Sequence, residues 1–116
     1  MDNLIAISDI NLAGSLFKSY EVNFETMIIS LSGTNGENFK IVFQTPIQFS
    51  FKKGKQIQGL FQSTKASPLL NEALLLRYVH VPEVHPFRPF QLLDMSDLPF
   101  IEVIAESATI IEDQKP

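Results

Sequence analysis

The densest chemistry in this sequence is His80-Val81-Pro82-Glu83-Val84-His85, which holds both histidines of the chain with a carboxylate between them. Two imidazoles and a carboxylate are a ligand set for zinc or non-haem iron. The spacing, however, is not that of a helical HExxH pair, and Pro82 and Pro86 keep the segment off a helix. In an extended segment alternate side chains diverge, so His80 and His85 point to opposite faces and Glu83 shares the parity of His85. The segment therefore reads as structural or partner-binding rather than metal-ligating, and no cofactor is implied. The alternative is a small-ligand or metal-binding site built from His80, Glu83, His85 and the nearby Arg88.

Other constellations fall short of a catalytic pattern. Glu102 and Glu106 share a face of one straight strand but lie about 13 Å apart at roughly 3.3 Å per residue. That exceeds the about 5–9.5 Å that separates glycosidase carboxylates. They read instead as a solvated face opposite Ile101, Val103 and Ala105, and Asp97 reads as a turn former. No serine lies in a G-x-S-x-G elbow. Gly33-Thr34-Asn35-Gly36 lacks the lysine and following helix of a phosphate loop. Lys52, Lys53 and Lys55 surround Gly54 and read as a solvated hairpin tip. The chain is accordingly read as non-catalytic.

These residues need a scaffold, and composition says which kind. At 116 residues the chain is the size of a single domain. Hydrophobic residues reach 45% and charged ones 19%, which argues against disorder. Ten phenylalanines, two tyrosines and no tryptophan suit the pleated surface of a strand. The net charge of −4 argues against nucleic acid, which needs a concentrated basic surface. Absence of cysteine, of a signal-peptide pattern and of an apolar run near 20 residues points to a cytoplasmic protein off the membrane.

Periodicity places the elements. Residues 1–15 read as a loose arm. Tyr20, Val22 and Phe24 alternate with polar residues, as a half-buried strand requires. Met27, Ile29 and Leu31 face one way on the next strand, as do Phe39, Ile41 and Phe43 on the one after. A two-residue loop at Asn35-Gly36 would split these faces, whereas a three-residue loop, Thr34 to Gly36, pairs Leu31 with Phe39 and leaves Gly36 left-handed. Odd apolar positions continue at Ile47, Phe49 and Phe51 past Pro46, where an edge, bulge or bend is expected. A turn at Lys53-Gly54 leads into a strand through Ile57, Leu60 and Phe61, which Gly59 weakens. Ser67-Pro68 opens a helix over Pro68 to Arg77, with a strand over 74–81 as its rival. An extended loop from Val81 to Pro89 precedes a hairpin of Phe90 to Met95 and Phe100 to Ala105. A further strand runs through Ile111, and 112–116 form a frayed tail.

The predicted class is mainly β with one short helix: an antiparallel sheet, or a partly open barrel or sandwich, of about six to eight strands. Leu12-Ala13-Gly14-Ser15, Tyr20 to Phe24, Met27 to Leu31, Phe39 to Phe51 and Phe100 to Glu106 follow one another in a familiar order. In that order the chain resembles a loose group of small bacterial β-sheet domains, some of them toxin-immunity proteins. Where that group often carries a His-Asp pair before serine, this chain has Ala13 and Gly14. The resemblance implies a bacterial, non-catalytic protein-binding domain. The phenylalanine-rich strands add the expectation of a homodimer joined through an edge strand or an apolar sheet face.

Overall fold

Period-two alternation carries through most of the chain as strand. A computed structural model describes residues 4–52, 56–65 and 67–113. Its strands are β1 (Leu4–Ala6), β2 (Ser15–Val22), β3 (Thr26–Ser32), β4 (Asn38–Gln44), β5 (Gln48–Phe51), β6 (Gln56–Ser63), β7 (Arg88–Asp94), β8 (Pro99–Ala105) and β9 (Ser107–Asp113). One helix, α1 (Pro68–Arg77), lies between β6 and β7. The nine strands form one antiparallel sheet in the order β5-β8-β7-β6-β2-β3-β4-β9, with β1 also on β6. No helix among the described residues is long and apolar enough to cross a membrane.

Burial decides the register of the β3–β4 hairpin. Leu31 pairs with Phe39, Ile29 with Ile41 and Met27 with Phe43, and all six side chains are buried. The Gly33 N–H donates to the Glu37 carbonyl at 2.8 Å, closing the three-residue loop Thr34 to Gly36, and Gly36 takes φ 82°. A one-residue slip would turn the whole apolar set to the other face.

The two ends of the sheet are joined by the chain itself. β4 runs into β5 across Thr45, Pro46 and Ile47, and β8 runs into β9 across Glu106. These two bent strands stay paired along their length, Gln44 with Ser107 and Gln48 with Ile104. Pro46 has no N–H for a ladder, and the bend falls there. Thr45 adopts φ 51° and its N–H donates to the Glu25 carbonyl at 2.7 Å, while the Ile47 N–H returns to Ile104 at 2.8 Å. The sheet consequently curls over itself. Phe43 of β4 and Phe90 of β7, far apart in strand order, bring their ring centroids to 5.9 Å.

The inner face packs Leu12, Met27, Ile29, Leu31, Phe43, Ile57, Leu92 and Val103 into one core. Each such side chain contributes roughly 1.5–3 kcal/mol on burial. α1 covers part of the outer face. Leu70, Ala73 and Leu74 pack with Phe87 and Ile104 in a second, smaller cluster, and Ile47 joins them. The Ser67 Oγ accepts the Leu70 N–H at 3.0 Å, the cap expected before Pro68, and the Tyr78 N–H closes the last turn onto Leu74 at 2.9 Å. The helix ends there, so 74–81 is not a strand.

Several expectations change. The strand count is nine because the bends at 45–47 and Glu106 divide two long strands and because β1 exists. The supposed loose arm is partly tied down: Leu4, Ile5 and Ala6 pair with Ser63, Gln62 and Phe61, and Leu12 is 2% exposed. Glu112 lies in β9 opposite Phe39, so the ladder reaches into the segment expected to fray. β7 begins at Arg88, taking Arg88 and Pro89 from the expected loop. Gly59 marks a bulge, with the register shifting between Ile57 and Gly59. The Lys53-Gly54 turn and residues 114–116 lie outside the described residues.

Candidate functional site

The loop between α1 and β7 separates the residues singled out there. His80 and Glu83 are exposed, whereas His85 is half-buried. The His85 Nδ1 accepts the Phe87 N–H at 3.3 Å, and the two rings stack with centroids 6.4 Å apart. Phe87 is the anchor: it is 4% exposed, touches Tyr78 and lies under the Arg77 guanidinium at 5.8 Å. Arg88 starts β7 opposite Ala105. His85 and Arg88 line one depression together, which neither His80 nor Glu83 lines. Among the described residues no three histidine or acidic side chains gather to hold a metal.

The carboxylates are committed elsewhere. Gln91 donates its amide to Glu102 Oε2 at 3.2 Å, and Gln48 donates to Glu72 Oε1 at 3.3 Å. Glu102 is half-buried, and its neighbour Ile104 is fully buried beneath α1. The outer face of β8 is therefore not the solvated surface expected of it. Glu106 sits at the bend, where its N–H donates to Gln44 at 2.9 Å. Asp97 turns the β7–β8 hairpin at φ 63°. Of the lysine cluster only Lys52 falls within the described residues, and it is exposed.

A different site emerges from register. Opposed residues of an antiparallel pair share a face. Phe17 opposes Leu31, Tyr20 opposes Ile29 and Val22 opposes Met27; Phe49 opposes Val103 and Phe51 opposes Ile101. All five therefore belong to the inner face, yet Tyr20 is 48%, Val22 47% and Phe49 39% exposed. The cause is topological. Among the described residues β2 pairs with β6 only at Ser15 and Leu16, and β5 pairs only with β8. The curled sheet is left with a mouth between β2 and β5.

Aromatic rings gather across that mouth. Phe17 meets Phe51 edge-on at 5.6 Å, Tyr20 meets Phe49 at 5.9 Å, and Phe49 meets Phe51 at 5.6 Å. Such pairs add roughly 0.5–1.5 kcal/mol each beyond burial. The bulge between Phe17 and Ser19 makes the cluster. Were Lys18 paired in a regular ladder instead of bulged out, Tyr20 would oppose Ile28 and point outward. Phe24, fully exposed, caps the adjoining turn, where the Asn23 side chain accepts the Glu25 and Thr26 N–H groups at 3.1 and 3.0 Å. Simple alternation from Tyr20 onward misses Phe17. The available signal is the odd spacing Phe17-Lys18-Ser19-Tyr20, two aromatics that share a face only across a bulge.

Comparison with protein-family models, curated proteins and solved structures returns no match. The chemistry of the site rests on its own residues: the rings of Phe17, Tyr20, Phe49 and Phe51 beside strand edges.

Proposed function

We infer that this chain is a non-catalytic binding domain that takes an extended segment of a partner protein across the mouth between β2 and β5. The observation that carries the reading is the half-exposure of Tyr20, Val22 and Phe49 on what is by register the inner face. Contiguous exposed aromatics beside strand edges fit strand addition, in which main-chain hydrogen bonds give affinity and side-chain pockets give specificity. An immunity-type role, with the segment supplied by a toxin, is the concrete form, and the charge of −4 favours a basic partner. The test is selection of a displayed random-peptide library on the purified chain. Expected winners alternate apolar residues and lose binding to a Tyr20→Ser, Phe49→Ser double variant whose circular dichroism is unchanged. Winners that bind the double variant equally well would refute the reading.

A second reading, homodimerisation, draws on β9. Its seven residues pair without a bulge to β4, and its other edge has no ladder partner among the described residues. No proline or lysine blunts that edge, which includes Ile110 and Ile111. Light scattering at rising concentration should give twice the chain mass, and a constant monomer mass would remove this reading.

A further inference from the structure

Lys65 follows β6, His85 and Arg88 lie where the chain enters β7, and together they line one depression of about 410 Å³. Gln62, Ser63 and Thr64 line it as well, no carboxylate among the described residues does, and its apolar wall is Ile5, Leu70, Phe87 and Pro89. Such a gathering of donors runs against the overall charge of −4. The backbone that carries one of these groups is fixed, and the ring of another is held in place. The Ser63 Oγ accepts the Lys65 N–H at 3.2 Å and donates to the Lys65 carbonyl at 3.1 Å, fixing the turn that carries the ammonium. His85 Nδ1 is occupied by the Phe87 N–H and the ring lies on Phe87, so Nε2 is the nitrogen that carries hydrogen. Donors ordered in advance lose less freedom on binding.

We propose that this depression binds a small organic anion. Its phosphate or carboxylate group is gripped by Arg88, Lys65 and the His85 Nε2–H, and its apolar body rests on Ile5, Leu70 and Phe87. Arginine suits either group because its planar fork matches two oxygens at once, while lysine adds a point charge. The site shares no residue with the aromatic mouth and stands whether or not that mouth binds a peptide. The neighbouring depression, which shares Gln62 and Arg88, is lined by Glu106. That carboxylate is therefore a local competitor for the guanidinium.

The experiment titrates the full chain with phenyl phosphate and, separately, with benzoate, followed by amide and imidazole NMR shifts. Saturable shifts centred on 62–65 and 85–88 are expected, at millimolar affinity or better. Arg88→Gln and Lys65→Gln should each weaken binding about tenfold, the size of a lost charge-assisted hydrogen bond. Arg88→Lys, which keeps the charge without the fork, should weaken it less than Arg88→Gln. Tighter phenyl phosphate assigns a phosphate ligand and tighter benzoate a carboxylate, and either result supports the proposal. Absence of saturation with both anions, or binding that the two glutamine variants leave unchanged, overturns it.

Discussion

The Tyr20 ring of β2 lies 4.9 Å from the Phe51 ring of β5, although no ladder joins those strands among the described residues. Among the described residues, side-chain contacts rather than a ladder bring these two strands together. Phe51 is partly buried against the main core, so Phe51→Ala should cost about 2–3 kcal/mol, below the fully buried range because the site is partly open. Tyr20, about half exposed, should cost only about 1 kcal/mol as alanine. Urea unfolding of both variants measures the order, and a larger loss at Tyr20 would contradict it.

Gly36 provides a test of backbone strain without steric interference. A Cβ there meets nothing within 4 Å, yet φ is +82°. Gly36→Ala should cost about 1–2 kcal/mol from the left-handed conformation alone, and Gly36→Asn distinctly less. Gly33→Ala differs in kind, since its Cβ would lie 2.9 Å from the Phe39 ring. Equal losses for Ala and Asn at 36 would remove the conformational explanation.

At the start of α1, Ser67→Ala removes the acceptor of the Leu70 N–H in a buried setting. The expected loss is about 1 kcal/mol, within the usual range for a cap. Ser67→Asp should retain most of the stability by keeping an acceptor. Thermal melts of the two variants decide the point.

Glu106→Gln should strengthen anion binding at the Lys65–Arg88 depression about two- to fivefold, by removing a negative charge beside Arg88. The gain should shrink as salt is added, because both groups are exposed. An unchanged or weaker affinity in low salt would place Glu106 outside the field of the site.

Zinc added to metal-free protein should give no stoichiometric heat by calorimetry. His85 already uses Nδ1 on the backbone, and His80 and Glu83 do not line its depression. Saturable binding lost in both His80→Ala and His85→Ala would reverse this view.

Local rules carried much of this fold in the sequence. The Ser67-Pro68 start, the β3–β4 register and the Asp97 turn each depend on residues a few positions apart, where capping, burial parity and turn chemistry act directly. The sheet closure was less legible. Pro46 announced a bend, but only the tertiary pairing of Gln48 with Ile104 shows where the bent strand goes. The aromatic mouth was hidden for a related reason. Its rings lie on β2 and β5, which are not neighbours in the ladder, and the bulge at Lys18 breaks the alternation that would have grouped Phe17 with Tyr20. Arg88 and His85 were visible as chemistry, but Lys65 becomes their companion only through the packing of β6 against β7.

Sheet closure also sets an order of events for the chain as it is made. The β3–β4 hairpin needs only neighbouring residues and can form within about 1–10 µs. β5 must wait until residues 101–104 have left the ribosome, because β8 supplies its ladder. Until then Phe49 and Phe51 have neither a paired strand nor a closed core behind them. Pairings of such high sequence separation fold in milliseconds to seconds, and a newly made copy is at its most aggregation-prone during that interval.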